Sequence, residues 1–172
     1  MIRFSSETDK VQIVKAGVEH IPAITEIYND AVEHTVATFD TQQKSLKEQK
    51  LWFDGHRDRY PILVALHREK VIGWASLNPY DDRCAYADTV EISVYIREGF
   101  RGKGVGNELT RELLGAGREV GLHAVLARIE SGNAASMHIL EKFGFVHVGV
   151  MREVGFKFGR LLDVTVMQFI YK

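Results

Sequence analysis

The chain has 172 residues, of which 45% are hydrophobic, with 22 basic against 23 acidic side chains and a formal net charge of −1. That is enough apolar material for one sizeable core, and it leaves no basic excess to follow a nucleic-acid backbone. The one cysteine, Cys84, excludes an intrachain disulfide framework and suits a reducing compartment. No apolar run approaches the ~20 residues of a membrane helix, and the charged start MIRFSSETDK lacks the apolar core of a signal peptide. A cytoplasmic protein is expected, with neither membrane nor nucleic acid as partner.

Residues 1–10 read as a polar leader, and 11–172 as one domain. The alternating VQIVKA, Val11 to Ala16, predicts a first strand. A helix is expected from about Val18, with Pro22 in its first turn, where a missing N–H costs little. Its apolar stripe is Ile21, Ile24, Ile27, Tyr28 and Ala31. Val32 to Thr41 has no period and reads as a loop. A second helix is expected from Ser45 to about His56, with Leu46, Gln49, Trp52 and Phe53 on one face. Pro61 then breaks the chain. Ile62 to Leu66 and Val71 to Leu77 flank the short link HREK as a hairpin, and Asn78 to Asp82 reads as a polar loop.

From Val90 to Ile96 apolar residues alternate with Glu91, Ser93 and Tyr95, the pattern of a two-faced strand. Arg101, Gly102, Lys103, Gly104, Val105, Gly106 and Asn107 follow. Apolar residues then recur at Val105, Leu109, Leu113 and Ala116, a helical period ended by Gly121. Ala124 to Glu130 predicts a strand, Ala134 to Phe143 a helix closed by Gly144, and FVHVGVM and LLDVTVMQFI two final strands. The order implies an α/β domain with a mixed sheet.

Glycines at a strand-to-helix junction have a chemical use. The first helical turn carries N–H groups without internal partners, its dipole end is positive, and glycine lets a phosphate approach the backbone. Two flanking cations favour a diphosphate cradle over a plain connection with surface charges. The nucleoside-triphosphate loop G-x-x-x-x-G-K-[ST] fails because Gly104 follows Lys103. The dinucleotide pattern G-x-G-x-x-G fails because its third glycine falls on Asn107. The pattern [Q/R]-x-x-G-x-[G/A] is met by Arg101, Gly104 and Gly106.

That last pattern resembles the coenzyme A pyrophosphate loop of the GNAT N-acetyltransferase superfamily. With YNDAV, TVEISVY, IESGNAAS, EKFGF and KFGRLLDVTVMQ, the chain from about Val11 to Gln168 is similar to the phosphinothricin and methionine sulfoximine N-acetyltransferase branch. The resemblance implies the GNAT acyl-CoA fold and acetyl transfer from acetyl-CoA to the amine of a small amino-acid-like substrate. It implies backbone contacts from Val94, Tyr95 and Ile96 to the pantetheine and acetyl groups, and a pyrophosphate held by Arg101 to Asn107. Asn133 would bind the pantetheine end and Glu91 would be the catalytic carboxylate. Asp81, Asp82 and Arg83, with Glu91, Ile92 and Ser93, would line the acceptor pocket. It also implies a homodimer, to which the apolar strand Leu161 to Ile170 would contribute.

The chemistry asks for such groups. A protonated amine must lose a proton before attacking a thioester, and a nearby carboxylate accepts it. Glu91 reads either as that base or as an edge carboxylate on a solvated face. The oxyanion formed on attack needs N–H donors, assigned to the N–H of Val94. Arg83 reads either as a bidentate clamp for a substrate carboxylate or as a surface arginine. Cys84 is expected to be buried or half-buried rather than nucleophilic. Where the branch commonly has a histidine after N-x-x-S, and many superfamily members a tyrosine, this chain has Leu140, and His138 points to another side of the helix. The seven histidines form no ligand spacing, so no metal is expected. Two alternatives stay open: another amine acceptor (a peptide N-terminus, a polyamine or an aminoglycoside), or a non-catalytic acyl-CoA sensor.

Overall fold

The computed structural model describes residues 10–56 and 58–172, so the expected leader lies outside the described residues except for Lys10. Seven strands form one sheet in the order β1-β2-β3-β4-β5-β7-β6. They are β1 (Gln12–Lys15), β2 (Ile62–His67), β3 (Lys70–Pro79), β4 (Thr89–Ile96), β5 (Ala124–Glu130), β6 (Val146–Lys157) and β7 (Arg160–Ile170). Four helices cover it: α1 (Ile21–His34), α2 (Leu46–His56), α3 (Val105–Glu119) and α4 (Ala134–Lys142). The sheet is mixed, as expected, because only β4 and β5 run parallel. The α3 crossover between them supplies that direction.

The two faces hold separate cores. Alternation along β4 sends Val90, Ile92 and Val94 to the core under α3 and α4, and Tyr95 to the core under α1 and α2. Helix α3 buries Val105, Leu109, Leu113 and Leu114, each side chain contributing roughly 1.5–3 kcal/mol. Gly117 on the same helix has a reason of its own. A Cβ there would meet Tyr171 Oη at 2.3 Å and a Leu77 methyl at 2.7 Å. The space admits Tyr171, whose hydroxyl donates to the Leu114 carbonyl at 2.9 Å.

One discontinuity in the sheet dominates the architecture. Strands β4 and β5 pair only from Thr89↔Ala124 to Glu91↔Leu126. Beyond that, β4 stays with β3 as far as Ile96, and β5 stays with β7 as far as Glu130. The strands therefore part in a wedge that opens toward the N-terminus of α3.

Several boundaries differ from the sequence reading. Helix α1 runs on through Val32, Glu33 and His34, because Val32 packs inward. Ser45 caps α2 rather than joining it: its Oγ accepts the Glu48 N–H, while Glu48 takes the Ser45 N–H, a reciprocal capping box. Leu46 stands 57% exposed, so the buried stripe of α2 is carried by Gln49, Trp52 and Phe53. Strand β3 extends through Asn78 and Pro79, which pair with Glu91 and Val90. Phe143 caps α4 instead of closing its last turn. Cys84 is exposed on a short 3-10 turn.

Candidate active site

The wedge is the floor of a cleft of about 1090 Å³. Its backbone chemistry follows from register. Tyr80 N–H donates to the Thr89 carbonyl (3.2 Å), and Arg97 N–H to the Ile72 carbonyl (2.8 Å). Antiparallel alternation between these points turns the backbone groups of Glu91, Ser93 and Tyr95 toward β3. Those of Ile92, Val94 and Ile96 turn the other way, toward β5, and from Val94 onward they face the wedge. The Val94 N–H thus faces the wedge rather than β3. The Ile96 carbonyl accepts Arg101 Nε–H at 3.0 Å, which ties the glycine turn to the strand. Tyr95 departs from expectation: its backbone belongs to the β3 ladder, and its ring lines the cleft.

At the wedge's open end, Gly102 and Gly104 adopt φ +72° and +88°. L side chains rarely take that conformation, and Gly104 caps α3 with no side-chain hydrogen bond. Gly104 has no side chain of its own to cap the first-turn N–H groups of Val105, Gly106 and Asn107. Arg101 reaches toward Asp30 (3.6 Å), and the Lys103 ammonium lies 5.3 Å over the Phe100 ring. Asn133 lies across the wedge. Its carbonyl oxygen caps α4 by accepting the Ser136 N–H at 3.1 Å, so its amide N–H2 is the end that could meet a ligand.

The opposite side of the cleft is made of side chains. On the α1/α2 face, Tyr28, Trp74 and Tyr95 pack with ring centroids 5.0–6.2 Å apart, and Trp52 sits 5.4 Å from Trp74. Burial pushes the Tyr95 hydroxyl up to about 12 and raises that of Tyr28, which donates to Asp40 at 2.6 Å. Both stay protonated donors at neutral pH. Trp74 Nε1–H is buried without an acceptor among the described residues. A buried indole N–H normally has a partner.

Asn78 ties this wall to β4. Its Oδ1 accepts Trp52 Nε1–H (3.2 Å) and Ser76 Oγ–H (3.1 Å), while Nδ2 donates to the Glu91 carbonyl and Ser93 Oγ, each at 3.1 Å. Those contacts fix the amide's orientation. Buried His56 faces two acceptors, the Trp52 carbonyl (2.8 Å) and Asn78 Oδ1 (3.0 Å). Both favour a charged ring, but desolvation is the larger effect and lowers its pKa.

Glu91 reaches the cleft in company that its sequence did not disclose. Arg128, on β5, donates Nε–H to one Glu91 oxygen (2.9 Å) and an Nη2 hydrogen to the other (2.6 Å). Glu91, Ile92, Ser93, Val94, Tyr95, Ile96, Gly106 and Asn133 all line the cleft; Asp81, Asp82 and Arg83 do not. Arg83 is instead held on an exposed loop by a bidentate pair with Asp81, at 2.8 and 2.9 Å, with Tyr86 beneath it. The sequence reading also missed the segment Ala37 to Asp40, with Lys44, and Met151 and Val154 of β6, all of which line the cleft. Leu140 is buried and lines it too, while His138 is exposed. Among the described residues no group of three or more His, Cys, Asp or Glu could hold a metal ion.

Comparison with known proteins is consistent along the chain. The acetyltransferase (GNAT) domain family matches residues 11–146. An L-methionine sulfoximine/L-methionine sulfone acetyltransferase of Pseudomonas paraeruginosa is 45% identical over 155 residues, 89% of this chain and 90% of that one. A phosphinothricin N-acetyltransferase of Streptomyces coelicolor is 38% identical over 162 residues, 92% of this chain and 95% of that one. Among solved structures, a GNAT superfamily phosphinothricin acetyltransferase from Sinorhizobium meliloti in complex with acetyl-CoA superposes with a TM-score of 0.90. It is 35% identical, and the match covers 93% of this chain and 88% of that one.

Proposed function

Because the chain belongs to the GNAT acetyltransferase family, we propose that it moves the acetyl group of acetyl-CoA to the primary amine of a small amino-acid-like acceptor. The acceptor is of the methionine sulfoximine or phosphinothricin type. The observation that carries this reading is the wedge, which joins a helix N-terminus without a side-chain cap to the strand edge that β5 has left and then to a carboxylate. These residues fit acetyl-CoA. The glycine turn suits a diphosphate, the β4 edge suits an amide-bearing pantetheine arm, and the Asn133 amide can donate to that arm. Bound acetyl-CoA supplies the thioester carbonyl that the amine attacks.

The chain's own residues supply the rest. Val94 N–H donates to the carbonyl oxygen as negative charge develops there. Glu91 accepts the proton that the acceptor's ammonium must lose. The acceptor approaches from the α1/α2 face, between Asn78, Tyr80 and the aromatic wall. Asp81, Asp82 and Arg83 would meet it only at the rim. A thiolate is a far better leaving group than an alkoxide or an amide anion, so Leu140 need not donate a proton. The exposed thiol of Cys84 suits the reducing cytoplasm.

A homodimer is part of the proposal. Edge strand β6 exposes Val146, Val148, Val150, Val154 and Phe156, and Leu161 of β7 lies beside them. Val150 and Phe156 pair with Thr165 and Leu161 and so share one face of the sheet, while Val146, paired with Gln168, lies on the other. A second copy along this edge would cover the exposed apolar side chains symmetrically.

Thiol release from acetyl-CoA tests the activity, with methionine sulfoximine, methionine sulfone, phosphinothricin, spermidine and a short peptide as acceptors. Saturable turnover is expected with the first three. Coenzyme A binding without turnover of any amine would overturn the reading in favour of a sensor.

A further inference from the structure

The Glu91–Arg128 pair occupies the point where acceptor and thioester must meet. Last paired at Glu91↔Leu126, β4 and β5 have begun to separate at Arg128, two residues further on. Parity puts Leu126, Arg128 and Glu130 on the sheet face opposite Val125, Ala127 and Ile129; the latter three pack under α3 and α4. Arg128 therefore shares the acceptor face with Glu91, Ser93 and Tyr95, and its guanidinium spans the mouth of the wedge to reach Glu91. Both residues line the cleft.

We propose that Arg128 binds the α-carboxylate of the acceptor, and that the Glu91–Arg128 pair is the resting form of a zwitterion site. This rests on the amino-acid acceptor proposed above. An α-amino acid carries an ammonium and a carboxylate on one carbon, the same two charges that the pair sets side by side. The acceptor's carboxylate takes Glu91's place on the guanidinium fork with the same bidentate geometry. The freed Glu91 carboxylate takes the acceptor's ammonium. The exchange replaces one ion pair with two and delivers the amine to the group that accepts its proton.

Three observations favour Arg128 over other cations. Lys44 is the other cationic side chain lining the cleft among the described residues, and it is paired with Asp40 at 3.1 Å, away from Glu91. Arg83 is engaged by both oxygens of Asp81 outside the cleft lining. The Arg128 side chain is 58% exposed, and Glu91 is 20% exposed. An accessible ion pair adds little to folding, so it can be traded for a ligand at little cost.

The test compares wild type, Arg128→Met and Arg128→Lys on two acceptors: methionine sulfone and its decarboxylated analogue, 3-(methylsulfonyl)propan-1-amine. Arg128→Met is expected to raise KM for methionine sulfone about 10- to 100-fold, the worth of a charge-assisted bidentate contact. KM for the amine should move by less than about threefold, as for loss of an exposed ion pair. Arg128→Lys should fall between wild type and Arg128→Met, because one point charge replaces a fork. Acetyl-CoA KM, measured alongside, should hold steady in both variants. Equal KM changes for both acceptors, or none for either, would overturn the clamp while leaving acetyl transfer intact. Wild-type turnover confined to the carboxylate-free amine would instead overturn the amino-acid reading, and the clamp with it.

Discussion

On the α3 side of the sheet the polar groups that face the wedge are largely backbone: the N–H groups of the first α3 turn, beside the positive-φ glycines, and the wedge-facing edge of β4, with the Asn133 amide across from them. On the α1/α2 side it is lined by side chains, among them Tyr28, Trp52, Trp74, Asn78, Glu91 and Arg128. Backbone recognition needs few residue types, chiefly glycine at positive φ, and suits a ligand that never changes. Side-chain recognition can be altered one residue at a time, and suits an acceptor that differs between relatives. Mutations on the two sides should therefore fail in different ways.

The largest effect is expected at the meeting point. Glu91→Gln keeps the shape and removes the base, and turnover should fall about 10²- to 10⁴-fold in a thiol-release assay. Turnover within a few-fold of wild type would take Glu91 out of the mechanism. On the backbone side, Gly104→Val forces a β-branched residue to φ +88°, a strain of about 1–3 kcal/mol. It should raise KM for acetyl-CoA about tenfold or more while the acceptor KM holds. A rise confined to the acceptor KM would reverse the assignment of the two sides.

Asn78→Ala probes the side-chain wall. It leaves Trp52 Nε1–H and Ser76 Oγ–H without their acceptor and releases Ser93. A stability loss of about 1–3 kcal/mol is expected, read as a lower denaturant midpoint with the acceptor KM raised and acetyl-CoA KM little changed. An unchanged midpoint would mean that the network carries no strain-free load in the fold.

The smallest effect concerns pH. His56 has a pKa lowered by burial, so below an unfolded value of ~6.5 the unfolded chain binds more protons than the folded one. Its contribution therefore favours folding above ~6.5 and is lost as pH falls from there toward the folded pKa. His56→Gln should flatten that part of the Tm–pH curve. An identical slope in the variant would assign the loss to other groups.

What the sequence disclosed divides along the same line. The glycine turn, strand β4 and helix α3 are contiguous, so spacing alone excluded two nucleotide motifs and marked the turn proposed to hold a diphosphate. Val94's direction needed only strand parity and the register with β3. Arg128 stands 37 positions from Glu91, and only the parallel crossover brings them together. A charged residue in mid-strand, on the parity opposite Val125, Ala127 and Ile129, was the one signal available for it. The segment Ala37 to Asp40 has no period to read. It is held in place from far along the chain, by buried Lys157 donating to the Thr38 carbonyl at 2.8 Å and by Phe39 lying where a Cβ on Gly155 would stand. Arg83 looked equally suited to a clamp in sequence, but Asp81, two residues away, satisfies it locally.

The most direct test of this division is the affinity of Glu91→Gln for acetyl-CoA, measured by titration calorimetry beside wild type. A Kd within about twofold of wild type, in a protein that has lost turnover, is the predicted result. A Kd that weakens in step with turnover would contradict it, because Glu91 would then belong to cofactor binding and the cleft would not divide as described.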